Sequence, residues 1–179
     1  MKQPVKKILA GAAALVITCA FLFSGLGFYN NYIVKKPLVQ ALNNIDGVQE
    51  VKLDKTEEDY RIIVASKQVE NLQSFYMQLD EAAAEYLDRG EYKLQLIDCR
   101  DQHLNDLYSQ LQPSIYEALA KDNYTWLQAE IGKQIKGSSP DTGYQFYIDE
   151  NRIYLQMIQG DKSLYAVIPR KVSGEVVKI

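Results

Sequence analysis

An uncharged apolar run near the N-terminus constrains this chain more than any other feature. Ile8 to Phe28 reads ILAGAAALVITCAFLFSGLGF, 21 residues without a charged side chain. At about 1.5 Å per residue a helix of this length spans roughly 30 Å, the thickness of the hydrocarbon core of a bilayer. The run therefore predicts a transmembrane helix at 8–28, with a short tail at 1–7 and a juxtamembrane segment at 29–36.

The charges on either side of this run predict its orientation. Three lysines and the free amine precede it and two lysines follow it, and the denser positive charge favours a cytoplasmic N-terminus. We therefore expect a single-pass protein of the cell membrane whose C-terminal domain lies outside, although cleavage of the run as a secretory signal stays open. The residues expected at the membrane interfaces are Lys6, Lys7, Tyr29, Tyr32, Lys35 and Lys36.

Charge and cysteine content then exclude several functions for the rest of the chain. Residues 37–179 hold 15 basic and 23 acidic side chains, so they do not favour nucleic acid, whose binding depends on neutralising phosphates. The two cysteines, Cys19 and Cys99, are too few for a Cys-rich zinc or iron–sulfur site. We expect no cofactor, no metal and no catalytic residue.

Periodicity predicts the order helix, strand, strand, helix, strand over 37–98. Apolar residues recur at helical or alternating spacing. Ser66 is the candidate N-cap of the second helix, and Gly90 its candidate end. If the flanking strands are parallel neighbours, the strand–helix–strand unit forms a crossover. The predicted elements are a helix from Pro37, strands at 48–53 and 60–66, a helix at 69–88 and a strand at 92–98.

The second half predicts helices followed by strands. Apolar residues continue at helical spacing from 104 to 119, through Pro113, which indicates one kinked helix or two abutting helices. Asp122 or Asn123 caps a further helix, and YQFYIDENRIYLQMIQGDKSLYAVIP then predicts an antiparallel meander. The fold class is therefore α+β, with a compact domain at 37–169 that subdivides at 37–98 and 99–169, and a loose tail at 170–179.

The segment IDGVQEVKL, together with the element order across 37–98, resembles the ring-building and BON-type modules of bacterial envelope proteins. That resemblance implies a role in assembly or surface association. The same segment is also similar to heavy-metal-associated domains, but the chain lacks the Cys-x-x-Cys pair that those domains carry. The C-terminal meander resembles the closing strands of extracytoplasmic domains in lysozyme-sensing anti-sigma factors, which need a larger cytoplasmic domain than residues 1–7.

The segment DCRDQH is the strongest candidate for chemistry. Cys99 and His103 lie four residues apart and would meet on a helix, as a thiolate nucleophile and its base require. The simpler interpretation makes Asp101 an N-cap and leaves His103 exposed in the first turn. The acidic stretch at 54–59 lacks the glycine-kinked pattern of a calcium loop and is interpreted as a solvated hairpin loop.

Tyrosine is abundant, with 13 residues, and two of them define the candidate binding face. Strand alternation in the meander places Tyr147 and Tyr154 opposite the predicted core side. Exposed tyrosine pairs are favoured at protein interfaces, so these two residues are the predicted partner contacts. Coverage of the pair by a helix of the same domain stays open as the alternative. The predicted core side consists of Phe146, Ile148, Ile153 and Leu155.

These patterns favour a membrane-anchored, extracytoplasmic protein-interaction or assembly module without catalysis. Its partner would be another envelope protein or a second copy of the chain. Two alternatives remain: a small-ligand sensor with a pocket between the helices and the meander, and an envelope enzyme that uses Cys99 and His103.

Overall fold

A computed structural model describes residues 34–56 and 59–170 of the chain. The predicted transmembrane helix at 8–28, the tail at 1–7 and residues 171–179 lie outside these ranges, as do Lys6, Lys7, Tyr29 and Tyr32. Lys35 and Lys36 lie at the start of the first described helix. Within the described ranges, no helix combines the length and the apolar character that a bilayer crossing needs.

The described residues form two three-stranded sheets and four α-helices. This confirms the α+β class and the predicted element order. The sheets have the strand orders β1-β2-β3 and β4-β5-β6. The elements are α1 (Lys36–Asn43), β1 (Val48–Lys55), β2 (Tyr60–Ser66), α2 (Leu72–Ala84), β3 (Tyr92–Ile97), α3 (Gln102–Lys121), α4 (Tyr124–Ser138), β4 (Gly143–Ile148), β5 (Arg152–Gln159) and β6 (Lys162–Pro169).

The first sheet packs one face against α1 and α2. Strands β1 and β2 pair antiparallel, and β2 and β3 pair parallel, which meets the condition for a crossover of the strand–helix–strand unit. Ile62 and Val64 of β2 are fully buried with Leu38 and Leu42 of α1. Gly47 turns the chain into β1 with φ of +91°, a conformation that glycine adopts without the strain that a Cβ would bring.

Helix α2 begins later than the sequence predicts, and Ser66 is not its cap. Asn71 accepts the N-cap hydrogen bond from Ser74 N at 2.9 Å. Ser66 ends β2, and its buried hydroxyl has no hydrogen-bond partner among the described residues. The helix ends at Ala84 rather than near Gly90, which lies in the turn before β3 with φ of +109°.

The next two helices are separated by a single sharp turn. Helix α3 runs unbroken through Pro113, so the two-helix alternative is wrong. Asp101 caps it, accepting from Leu104 N at 2.8 Å, as predicted. Asp122 ends α3 in the left-handed region with φ of 50°, and Asn123 caps α4 by accepting from Trp126 N at 3.3 Å. Asn123 is therefore the cap, and Asp122 is the turn residue.

The second sheet is covered on both of its faces. Five consecutive residues of β5, from 153 to 157, are buried. Ile153, Leu155 and Met157 pack with the apolar faces of α3 and α4. Tyr154 packs instead with the cluster that contains α2 and the first sheet. The meander is therefore the middle layer of this part of the molecule.

Candidate functional site

The two tyrosines predicted to contact a partner do not form an exposed pair. They face each other across β4 and β5, but Tyr154 is 0% exposed and Tyr147 is half-buried. The prediction of exposure for Tyr154 is wrong, and the alternative, coverage by a helix of the same domain, is correct. The ring of Tyr76 on α2 meets the ring of Tyr154 edge-on, with centroids 5.8 Å apart. Strand alternation cannot distinguish a solvated face from one covered by a distant helix.

The buried hydroxyl of Tyr154 is part of a polar cluster around the β4–β5 turn. It donates to Asp149 Oδ2 at 2.7 Å. Burial, and then this carboxylate, raises the pKa of Tyr154. Burial alone would raise the pKa of Asp149, but the hydrogen bonds from Tyr154 and from the backbone N–H groups of Asn151 and Arg152 outweigh it, so the pKa is lowered. Asp149, in its ionised carboxylate form, therefore holds the turn in place through these hydrogen bonds.

A small cleft opens beside this cluster, between β3 and the ends of β5 and β6. Its volume is about 250 Å³, and Tyr76, Tyr92, Asp80 and Arg152 are among its lining residues. The Arg152 guanidinium stacks on the Tyr76 ring at 5.0 Å and lies 4.0 Å from Asp80 Oδ2. Burial, and the hydrogen bond to Asp80, raise the pKa of Tyr92 to about 12. The cleft therefore places Arg152 and Asp80 between two neutral phenols, and Lys93 also lines it.

Three polar side chains link the second sheet to the first half of the chain, and of these the sequence analysis included only Asp98, as part of the segment DCRDQH. Gln156 is fully buried, accepts from Leu72 N at 3.0 Å and donates to Val69 O at 2.6 Å. The hydroxyl of Tyr165 accepts from Val69 N at 3.0 Å. The remaining side chain, Asp98, accepts from Tyr165 N at 2.7 Å and also holds the Arg100 guanidinium. The sequence feature that could have indicated these contacts is the glutamine inside the apolar run YLQMI.

The structure separates Cys99 from His103. Cys99 precedes α3 rather than lying on it, so the four-residue spacing does not bring the two side chains together. Cys99 is exposed, and its Sγ lies 4.0 Å from Lys162 Nζ. Exposed His103 has its Nε2 2.9 Å from the hydroxyl of Ser139, which is only 5% exposed at the end of α4. This contact links the start of α3 to the end of α4.

The acidic stretch between β1 and β2 does not assemble a metal site in the described residues. Asp59 binds Lys93 Nζ at 2.6 Å and accepts from the Thr56 hydroxyl at 2.7 Å. The hydrogen bond from Lys93, and then that from Thr56, lowers the pKa of Asp59. Across 34–56 and 59–170, no group of three or more His, Cys, Asp or Glu side chains is arranged to hold a metal ion.

Strand β4 leaves one edge without a partner strand among the described residues, because it pairs only with β5. Asp149 N donates to Arg152 O at 3.0 Å, which continues the β4–β5 ladder into the turn. In an antiparallel ladder alternate residues bond to the partner, so Gly143, Gln145 and Tyr147 bond to β5. Tyr144, Phe146 and Ile148 therefore direct their backbone groups away from the sheet. Of these groups, the Ile148 carbonyl accepts a hydrogen bond from Gln73 Nε2 at 3.5 Å.

The side chains of β4 itself are uncharged. Strand β4 reads GYQFYI, whereas four of the eight residues of β1 are charged. Ile148 is 38% exposed, which corrects its predicted place in the core. A groove of about 310 Å³ lies beside the second half of β4, with Tyr124, Thr125, Phe146 and Ile148 among its lining residues. The edge therefore combines free backbone groups with an uncharged groove.

Comparison of the chain with protein-family models, with curated proteins and with solved structures found no match in any of the three.

Proposed function

We propose that this protein is a single-pass membrane protein whose extracytoplasmic domain binds another protein of the cell envelope, without catalysis. The observation that carries the proposal is the β4 edge, where backbone groups and an uncharged groove remain open to a partner. Natural sheets protect such edges with charge or cover, so an open uncharged edge indicates an interaction site. This edge replaces the pair Tyr147 and Tyr154, of which Tyr154 is buried, as the proposed contact.

Two sequence features support the location and the role. The apolar run at 8–28 and the lysines around it are the basis for the anchor and for its orientation. Anchoring concentrates the domain at the membrane surface, so that a modest affinity for a neighbouring envelope protein suffices. The resemblance of 37–98 to ring-building and BON-type modules, which rests on element order, favours an assembly role over catalysis.

A pull-down from detergent-solubilised membranes tests the proposal with two matched variants of the full chain. Ile148→Asp puts a charge at the end of the β4 edge, on a side chain that is 38% exposed. Ile97→Asp puts the same charge on β3 of the other sheet, on a side chain that is 48% exposed. We expect a captured protein to be lost with Ile148→Asp and kept with Ile97→Asp. Equal capture by both variants and the wild type would rule out the β4 edge as the contact.

A small-ligand sensor is the second candidate, and the cleft beside Arg152 is the observation in its favour. Arg152 and Asp80 lie 4.0 Å apart, so a small zwitterion could bind both charges between Tyr76 and Tyr92. Thermal shifts with free α-amino acids, measured on the wild type and on Arg152→Gln, test this candidate. A stabilisation that the variant does not show would support it.

A further inference from the structure

We propose that the free edge of β4 binds an extended, uncharged segment of the partner protein, which adds to the second sheet as a fourth strand. This inference rests on the proposed function, and it names the chemistry of the partner and the way it is held. It follows from the backbone geometry of β4, from the other sheet edges, from the groove and from the charges at the ends of the strand.

The backbone of β4 provides the first step. Tyr144 and Phe146 each direct one N–H and one C=O group away from β5, as the register and the ladder bond at Asp149 require. An added strand at the usual spacing of about 4.8 Å would bond to all four groups. Strand addition obtains its affinity from such main-chain bonds, while pockets beside the edge select side chains.

The other strand edges of the described residues are less suited to this role. Strand β1 carries Glu50, Lys52, Asp54 and Lys55, and charges of this kind discourage pairing. The outer edge of β6 is partly used, because Ser163 N donates to Cys99 O at 3.4 Å and Tyr165 N donates to Asp98. Strand β3 carries Lys93 and borders the cleft. Strand β4 alone among these four has no charged residue, and among the described residues its edge is bonded only at the Ile148 carbonyl, which leaves Tyr144 and Phe146 unbonded on that side.

The spaces beside β4 indicate which side chains the added segment carries. Besides the groove of about 310 Å³, a smaller space of about 150 Å³ lies at the first half of the strand, beside Gly143 and Tyr144. None of the residues that line either space is charged. A charged side chain on the added strand would therefore lose water without gaining a counter-charge. The segment that fits is uncharged and β-branched or aromatic.

A second copy of this chain fits the edge less well than a different protein. Antiparallel pairing of Tyr144 with Phe146 of a second copy would bring Asp141, in the turn before β4, towards Asp149 and the exposed Glu150 at the far end of β4 of that copy. Like charges directly opposite each other destabilise a strand pair. The exposed Asp141 and Glu150 at the two ends of β4 therefore favour a different chain as the partner.

The first experiment measures a strand peptide on the full chain in lipid nanodiscs. The probe is a capped, fluorescently labelled peptide of alternating threonine and valine, six residues long, with empty nanodiscs as the blank. Two further probes carry N-methyl groups on alternate residues. One is methylated at its odd-numbered residues and the other at its even-numbered residues, and these are the two methylated phases. We expect the unmethylated probe to bind and only one of the two methylated phases to lose binding, because a strand presents alternate N–H groups to its neighbour.

The second experiment compares two substitutions at one position of the full chain. Phe146→Ala and Phe146→Pro both remove the aromatic side chain, but only Phe146→Pro removes the outward N–H group, which an edge strand tolerates. We expect Phe146→Pro to bind the probe about tenfold more weakly than Phe146→Ala, the change that one lost backbone bond and its unmatched carbonyl produce. Thermal melts of the two variants check that both are folded.

Three outcomes would overturn strand addition. The first is equal binding of the two methylated phases, and the second is equal binding of the probe by the folded Phe146→Ala and Phe146→Pro variants. The third is a cross-link between two copies of the full chain through Gln145→Cys, which would make a second copy the occupant. The proposed function fails separately, if the pull-down captures no protein that Ile148→Asp loses.

Discussion

Single buried side chains hold the middle layer together, and Tyr154 is the largest of them. Its ring packs on Tyr76, and its hydroxyl meets Asp149. Tyr165 and Gln156 reach from the same sheet to the backbone before α2. A side chain with a ring in the core and a satisfied polar end stabilises through both parts, because an unpaired buried hydroxyl would cost free energy.

We expect Tyr154→Ala to lower the free energy of unfolding by about 3–5 kcal/mol, the range for loss of a buried aromatic ring. Tyr154→Phe should lower it by about 1 kcal/mol, since it removes only the hydrogen bond to Asp149. Urea unfolding followed by Trp126 fluorescence measures both values. Tyr116→Ala is the control, because Tyr116 is 68% exposed on α3 and its removal should change stability by less than about 0.5 kcal/mol. A small loss for Tyr154→Ala would contradict its burial.

The lowered pKa of Asp149 predicts how the stability of the fold depends on pH. Because the folded-state pKa lies below the ordinary value of about 3.9, the carboxylate stabilises the fold above that pH, and the contribution is lost as pH falls through the folded pKa. Asp149→Asn should lower the free energy of unfolding by about 1–3 kcal/mol at pH 7. The difference from the wild type should shrink below about pH 4. Unfolding measured at pH 7, 4 and 3 checks this, and a difference that is constant with pH would contradict it.

At the scale of elements, the start of α2 shows how a local signal can be assigned to the wrong residue. Ser66 and Asn71 are both good N-cap residues, and both precede the apolar period of the helix. Gln156 and Tyr165 decide between them, because both bond to the backbone of Val69 and hold it in the non-helical segment before the helix. Ser66 consequently becomes the last residue of β2.

We expect Asn71→Ala to lower the free energy of unfolding by about 1 kcal/mol through loss of the bond to Ser74 N. Ser66→Ala should be neutral or stabilising, because the Ser66 hydroxyl is buried without a partner among the described residues. Urea unfolding of the two variants in parallel makes each the control for the other. The reverse order of stability would indicate that Ser66 is the effective cap.

At the scale of the whole molecule, the described residues form layers whose middle is the second sheet. One of its faces meets α3 and α4, and the other meets α2, which in turn covers the first sheet. This arrangement leaves the outer edge of β4 without a neighbouring strand among the described residues, and the proposed partner strand would add there. The proposed anchor would hold that edge outside the cytoplasm.

The orientation of the full chain is predicted from the lysines before the run at 8–28. An alkaline phosphatase fused after Ile179 should be active, because that enzyme folds only outside the cytoplasm, and a cytoplasmic reporter at the same position should be inactive. Replacing Lys2, Lys6 and Lys7 by glutamine should weaken or reverse this orientation. An active cytoplasmic reporter on the wild-type chain would show that the domain lies inside the cell.

The sequence by itself determined the order of the elements and several of their ends. Helical and alternating periods, the turn at Gly47 and the cap Asp101 depend on residues a few positions apart, so they can be recognised without a tertiary structure. The choice between Asp122 and Asn123 as the next cap stayed open until the structure showed Asn123 in that position. The sequence also predicts the succession of β2, α2 and β3, and the structure adds that β2 and β3 pair parallel.

Only the tertiary structure decided which surfaces are covered. Tyr154 lies on a strand whose alternation predicts one exposed face, yet α2 buries that face from far along the chain. Gln156 and Val69, which are 87 positions apart, bond to each other, and Ser139 rather than Cys99 meets His103. Burial and long-range hydrogen bonds depend on how the elements pack, which no local pattern encodes. For the same reason the free edge of β4 became visible only when the partners of all six strands were known.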